Sequence, residues 1–365
     1  MRVIEPLGFR TSYESRPWKP GSRRSLRRRV PKIGFSRPEP RLLLNLNAPL
    51  LRGAEIHSIA TNGDQEFVLR RAVSTHGSAD GLIDERFLTG GIPTEEALTK
   101  GWKSVGEHEL RAGFLARRTT DALLLRAQTL PDEISLLPSA PIGAATWSSL
   151  AYALRAIGAV ELDIDRTEFE VGLAPTVGDR GPAGGLFLAD TIENGAGYAS
   201  QISEGILQYL RDLPTYFESA HRGAPCDSSC QRCLRDHTNW PWHPLLDWRL
   251  ALDLGSILLD EDVDYGSFRS MESGLVKRLA VELGAEASQA GSLPALVRTN
   301  CGRTRAVAVT HPFLVDATGQ PPAWLADGLE QLAVAYDIDP RNIRRTSYFE
   351  MAREPHEVFR KLTVG

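Results

Sequence analysis

The chain has 365 residues, 42% hydrophobic and 24% charged, which allows two or three ordinary domains and excludes a low-complexity chain. Its net charge of −4 excludes a uniformly basic nucleic-acid binder, yet ten Lys or Arg stand against one acid, Glu39, between Arg16 and Arg41, which leaves the remainder acidic. No apolar run is long enough to span a bilayer, MRVIEPLGF lacks the apolar core of a signal peptide, and four cysteines fit a reducing, cytoplasmic compartment.

Residues 1–50 read as a basic, largely extended arm, since no helical or strand period runs through Arg16–Pro40. Its cations Arg23, Arg24, Arg27, Arg28, Arg29 and Lys32 suit contact with nucleic-acid phosphates through counterion release. A solvated linker or an arm docked on a partner protein fits the same composition.

Residues 51–144 read as a β-rich domain. Ala54–Ile59 and Glu66–Leu69 flank Asn62-Gly63, a hairpin signal, and strand-like runs follow around Phe114-Leu115 and Ala122–Leu125. A helix over 146–160, capped by Thr146, places Trp147, Leu150, Leu154 and Ile157 on one face. Strands over 168–173 and 185–190 follow, then helices near 198–212 and 245–259, the latter pair bracketing a cysteine cluster. From 263 to 365 the pattern restarts: a helix near 271–284, a strand at 305–310, a helix around 322–335 and a strand near 346–351. The fold class expected is α+β: an antiparallel β layer, a zinc-stapled α/β core over 145–262, and a small C-terminal α/β subdomain.

Cys226-Asp-Ser-Ser-Cys230-Gln-Arg-Cys233 holds three of the four cysteines. Thiolates at this spacing suit a tetrahedral soft metal, zinc above all. No Cx2C follows a strand at a helix start, which disfavours redox chemistry. Three thiolates make a weak Lewis acid, so a structural staple is the expected role. The fourth ligand is open: His243, reached by a loop turned at Pro241, ranks ahead of Cys301 and His237, with His221 an upstream candidate.

Asp190-Thr-Ile-Glu-Asn-Gly-Ala-Gly-Tyr198, the cysteine loop, Asn239, His243 and Leu246-Asp-Trp-Arg249 together resemble the helicase-associated zinc-binding domain of the MrfA (MZB) type. That domain occurs in MrfA-type helicases and in DrmB-like subunits of the DISARM antiphage system, and here it covers about 145–260. MrfA-like chains carry a further cysteine soon after the third, where this chain has Asn239. The resemblance implies structural zinc, a separate SF2-type DNA helicase as partner, DNA nearby and no membrane. The chain itself has neither G-x-x-x-x-G-K-[ST] nor a DExH box, so it is expected to be a non-motor accessory subunit or fragment in defence or repair.

Other chemistry is weaker. Gly195-Ala-Gly-Tyr198 at a helix start could meet a phosphate or serve close packing. Glu161, Asp163, Asp165, Glu168 and Asp190 would suit a metal-dependent nuclease, but no lysine follows the second strand. His311 before Pro312 has no matched partner motif, and Trp18, Trp240 and Trp242 are candidates to stack bases, whereas Trp248 reads as core. A protein–protein adaptor without nucleic-acid contact is the remaining alternative.

Overall fold

The computed structural model describes residues 3–4, 29–34, 39–60, 67–74, 80–84, 102–174, 176–178, 181–315 and 319–363. In chain order the first strands are β1 (Val3–Ile4), β2 (Arg29–Gly34), β3 (Leu42–Leu43), β4 (Leu46–Asn47), β5 (Leu50–Ala60), β6 (Phe67–Ser74), β7 (Asp80–Asp84) and β8 (Trp102–Ala127). Then come α1 (Pro141–Glu161), β9 (Phe169–Leu173), β10 (Thr176–Gly178), β11 (Gly181–Ala183), β12 (Gly185–Asp190), α2 (Tyr198–His221) and α3 (Trp248–Leu258). The rest is α4 (Arg269–Leu283), β13 (Glu286–Ala290), β14 (Leu293–Asn300), β15 (Arg303–Val309), α5 (Ala323–Tyr336), β16 (Arg344–Thr346), α6 (Tyr348–Arg353) and α7 (Pro355–Thr363). Helices beside largely antiparallel sheets make an α+β fold, the class expected from sequence.

The chain forms two compact units, one of Met1–Ser36, Arg52–Thr120 and Ile192–Gly195, the other of Arg37–Leu51, Asp121–Thr191 and Ala196–Gly365. In the first, β2 runs antiparallel to β5, with Arg29 opposite Ala60 and Gly34 opposite Glu55. Arg29 and Lys32 thus sit on a strand, which the arm's composition hides because the backbone of β5 supplies the pairing. Arg23, Arg24, Arg27, Arg28 and Trp18 lie outside the described residues. So does the expected Asn62-Gly63 turn, and among the described residues β6 pairs with β7 and β8. The two runs at 114–115 and 122–125 belong to one long strand, β8, because Thr119 and Thr120 between them are themselves good strand formers.

The second unit is built on α1. Pro141 occupies the first turn, where its missing N–H costs nothing. The helix therefore starts five residues before the expected Thr146, whose hydroxyl instead donates to the Ile142 carbonyl at 2.8 Å from inside the helix. Trp147, Leu150, Leu154 and Ile157 are all buried, and α1 packs on α3, α2, β9 and β12. Trp147 Nε1 donates to the Leu136 carbonyl at 3.0 Å, and a Cβ on Gly184 would fall 2.0 Å from that nitrogen, so this position requires glycine. Strand β12 joins β9 to the 122–126 stretch of β8, burying all six of its residues.

At the C-terminal end, β13, β14 and β15 are antiparallel and β16 lies parallel to β15. Helix α5 packs on one face through Leu325 and Leu332 against Leu293 and Ala295. On the other, Val276, Leu279, Met351 and Val358 pack against Leu296 and Val307. Strands β13 and β14 escape a sequence reading because Pro294 sits within β14 and β13 is polar and largely exposed. The expected strand at 346–351 is the end of β16 and then a helix: Ser347 Oγ accepts from the Glu350 N–H at 3.2 Å, a cap that overrides the local aromatic pattern.

Glu272, in the first turn of α4, is 3% exposed, and burial pushes its carboxyl up to about 7. Because its folded pKa lies above the free value of 4.5, the group withdraws stability as pH rises from about 4.5 through 7. Glu272→Gln is expected to flatten that window and to exceed the parent by about 2 kcal/mol at pH 8, with no gain at pH 4, in urea denaturation.

Candidate metal centre

Helix α2 carries the first ligand. Ile202, Ile206, Leu210, Leu213 and Phe217 mark its buried face, and the same period brings the final residue, His221, to the cysteine loop. The helix runs through Pro214 to His221, beyond the expected end near 212. The His221 ring stacks on Phe217 at 5.9 Å and meets Trp248 at 5.3 Å, which fixes its orientation. After a turn at Gly223, where φ is +75°, the chain presents Cys226, Cys230 and Cys233.

One ligand atom from each of His221, Cys226, Cys230 and Cys233 lies within 4.8 Å of all the others. The Cys230 and Cys233 sulfurs are 3.6 Å apart. Tetrahedral ligands about 2.3 Å from a zinc ion stand about 3.7 Å from one another, so the spacing suits that ion. Among the described residues the buried Nε2 of His221 has no hydrogen-bond partner, a costly omission that a metal bond would remove. The protein thus has a zinc site, and a Cys3His set fills all four positions, which marks a structural rather than catalytic ion.

Of the three thiols, Cys233 is the one set to lose its proton. A hydrogen bond from Cys226, helped by the Cys230 N–H, holds Cys233 well below the usual thiol range, against the effect of its burial. The Cys230 N–H reaches the Cys233 sulfur at 3.0 Å. Cys226, as the donor, is pushed up, with burial adding to the rise. Metal binding would replace this proton sharing by direct coordination.

The loop has little core of its own and is held through its carbonyls. The Cys230 carbonyl accepts from the N–H groups of Cys233, Leu234 and Arg235. Tyr216 donates to the Cys233 carbonyl at 2.9 Å, and Trp248 Nε1 to that of Cys226 at 3.1 Å. Arg249 reaches the Asp227 carbonyl at 2.7 Å, and Arg166 that of Arg232 at 3.0 Å. Buried Arg155 on α1 pairs with Asp236 at 3.1 Å and donates to Thr238 at 3.0 Å. The signal for Arg155 was available in sequence, as the one charge inside the apolar run 146–160.

The fourth position expected at His243 is taken by His221. His243 Nε2 lies 2.7 Å from Asn239 Oδ1 and 3.0 Å from the Asp236 carbonyl, so that nitrogen faces acceptors and carries the proton. Asn239, fully buried, also donates to the Leu234 carbonyl at 2.7 Å, closing the segment. His237 is exposed, and Cys301 is exposed in the β14–β15 turn.

The Gly195–Tyr198 turn is filled from within. Asp190, fully buried, accepts from the N–H groups of Ala196 at 2.7 Å, Gly197 at 2.8 Å and Ala199 at 2.8 Å. A carboxylate of the protein thus occupies the place a phosphate would take. Glu161, Asp163 and Asp165 are exposed, and Asp165 caps a short turn by accepting from the Thr167 N–H. His311 is buried with Asp253, 3.0 Å away. Trp240 is 52% exposed, while Trp248 is half-buried against the metal ligand.

Residues 150–234 match the MrfA Zn-binding domain. All four clustered ligands fall inside that segment and His243 falls outside it. The Druantia protein DruE of Escherichia coli (strain UMEA 4076-1) is 34% identical over 110 residues, which is 29% of this chain and 6% of that protein. Two solved structures of the DUF1998 helicase MrfA, bound to DNA and bound to DNA and AMPPNP, are 12% identical to this chain, with TM-scores of 0.37 and 0.28. They cover 64% and 59% of this chain, and 25% and 23% of their own. The chain therefore corresponds to a small part of each relative. Among the described residues, no helix is long and apolar enough to cross a membrane.

Proposed function

We propose that this chain is a non-motor, zinc-stabilised accessory subunit, or one portion of a larger protein, that works with an SF2-type DNA helicase in antiphage defence or DNA repair. The observation that carries the reading is the Cys3His cluster lying wholly within the stretch matched by the MrfA Zn-binding domain. The partial match to DruE and the resemblance to DrmB-like subunits support a defence setting. The zinc-binding core is the scaffold, and the basic arm is the contact with DNA. Arg23, Arg24, Arg27, Arg28, Arg29 and Lys32 add affinity by releasing counterions, and no bond chemistry is assigned to the chain.

Duplex DNA binding by the zinc-loaded protein is expected to weaken linearly in a log–log plot against salt. Replacing those six cations by Ala is expected to reduce the slope by up to about 5. An unchanged slope would remove the arm from the interface, and absence of salt-sensitive binding in the parent protein would favour a protein–protein adaptor.

A further inference from the structure

Strands β14 and β15 place Arg298 directly opposite Arg305. Like charges facing each other across a ladder are destabilising. Each guanidinium also has a buried Nη1 without a hydrogen-bond partner. Among the described residues neither has an ion pair. The contrast with Arg155 is sharp, since Asp236, Thr238 and the Arg166 carbonyl satisfy that more deeply buried side chain. Two half-exposed arginines that face each other across the ladder, without an ion pair among the described residues, suit an oxyanion, which fits their planar forks.

The surroundings extend the site into a track. Arg303, opposite Asn300, lies two residues along from Arg305 and therefore on the same face. Arg344 of β16, opposite Val307, shares that face too. The Arg298 guanidinium stands 5.1 Å from the Phe359 ring, which is 40% exposed on α7. Same-face residues on a strand repeat at about 6.8 Å, comparable to the step between successive phosphates of an extended single strand. A row of cations beside an exposed aromatic ring is the arrangement that binds unpaired nucleic acid by phosphate contact and base stacking.

From this geometry we infer that the arginine-lined end of the β14–β15 ladder, next to the part of that face covered by Val276, Leu279, Met351 and Val358, is a binding site for single-stranded nucleic acid, with Arg298 and Arg305 clamping one phosphate and Phe359 stacking a base. The inference rests on the proposed role beside a DNA helicase and places a contact far in sequence from the arm.

The test uses the full, zinc-loaded chain and a fluorescent oligothymidylate. Arg298→Gln/Arg305→Gln is expected to weaken binding about tenfold at moderate salt and to reduce the salt slope by about 0.7. Phe359→Ala is expected to weaken binding at every salt concentration without changing the slope. In the absence of nucleic acid the double variant is expected to melt at or above the parent temperature, because an uncompensated like-charge pair has been removed. Parental oligonucleotide affinity in the double variant, or loss restricted to inorganic phosphate, would overturn the inference while leaving the helicase-associated reading intact. A lower melting temperature in the double variant would make the pair structural and overturn it as well. Absence of oligonucleotide and duplex binding by the parent protein would overturn both.

Discussion

Cys233→Ser is expected to release the zinc and to cost on the order of 5 kcal/mol or more, the largest single-residue effect in the molecule. Cys233 is fully buried, and its sulfur lies among Cys226, Cys230 and His221. The stretch from Arg222 to Asp247 contributes few side chains to the core apart from Cys233, Leu234 and Leu246. Without the ion, Tyr216, Arg166 and Trp248 would hold loop carbonyls against three mutually close thiols with no common partner. A strong chelator should reproduce the effect in the parent protein and leave the variant unmoved. Thermal unfolding with and without chelator, together with zinc content, checks both expectations. A parent protein whose melting is insensitive to chelation would show that the loop stands without metal.

Asp190→Ala is expected to destabilise the fold by about 3–5 kcal/mol. The carboxylate is fully buried and ends β12 by accepting three N–H groups from the start of α2. Removing it leaves those donors unmet at the positive end of a 24-residue helix. Asp190→Asn should recover little, since its amide nitrogen would face donors in place of one carboxylate oxygen. Urea denaturation of the zinc-loaded protein reads the difference. A stable Asp190→Ala protein would mean that this carboxylate is not a cap, and would reopen the nuclease reading that its three hydrogen bonds now disfavour.

How far the sequence carries depends on whether a signal is local. The cysteine triplet, the β9–β12 pair and the long apolar helix α1 are legible because their ligand spacing or apolar period lies within one short window. The fourth ligand is not, because it required extending the α2 period past Pro214. Proline is ordinarily a helix breaker, but here Leu213 and Phe217 continue the buried face on either side of it. His243 looked suitable because of its loop, yet Asn239 and Asp236 claim its ring. In the same way, the cap made by Ser347 and the pairing of β2 with β5 depend on partners that composition does not reveal.

Zinc K-edge absorption on the parent protein and on two single variants tests the metal centre most directly. The parent is expected to show three sulfurs at about 2.3 Å and one nitrogen at about 2.0 Å. His243→Ala should leave that spectrum unchanged, while His221→Ala should lose the protein nitrogen and bind zinc more weakly. A nitrogen shell that survives His221→Ala and disappears in His243→Ala, or a parent protein that purifies without zinc, would contradict the Cys3His centre.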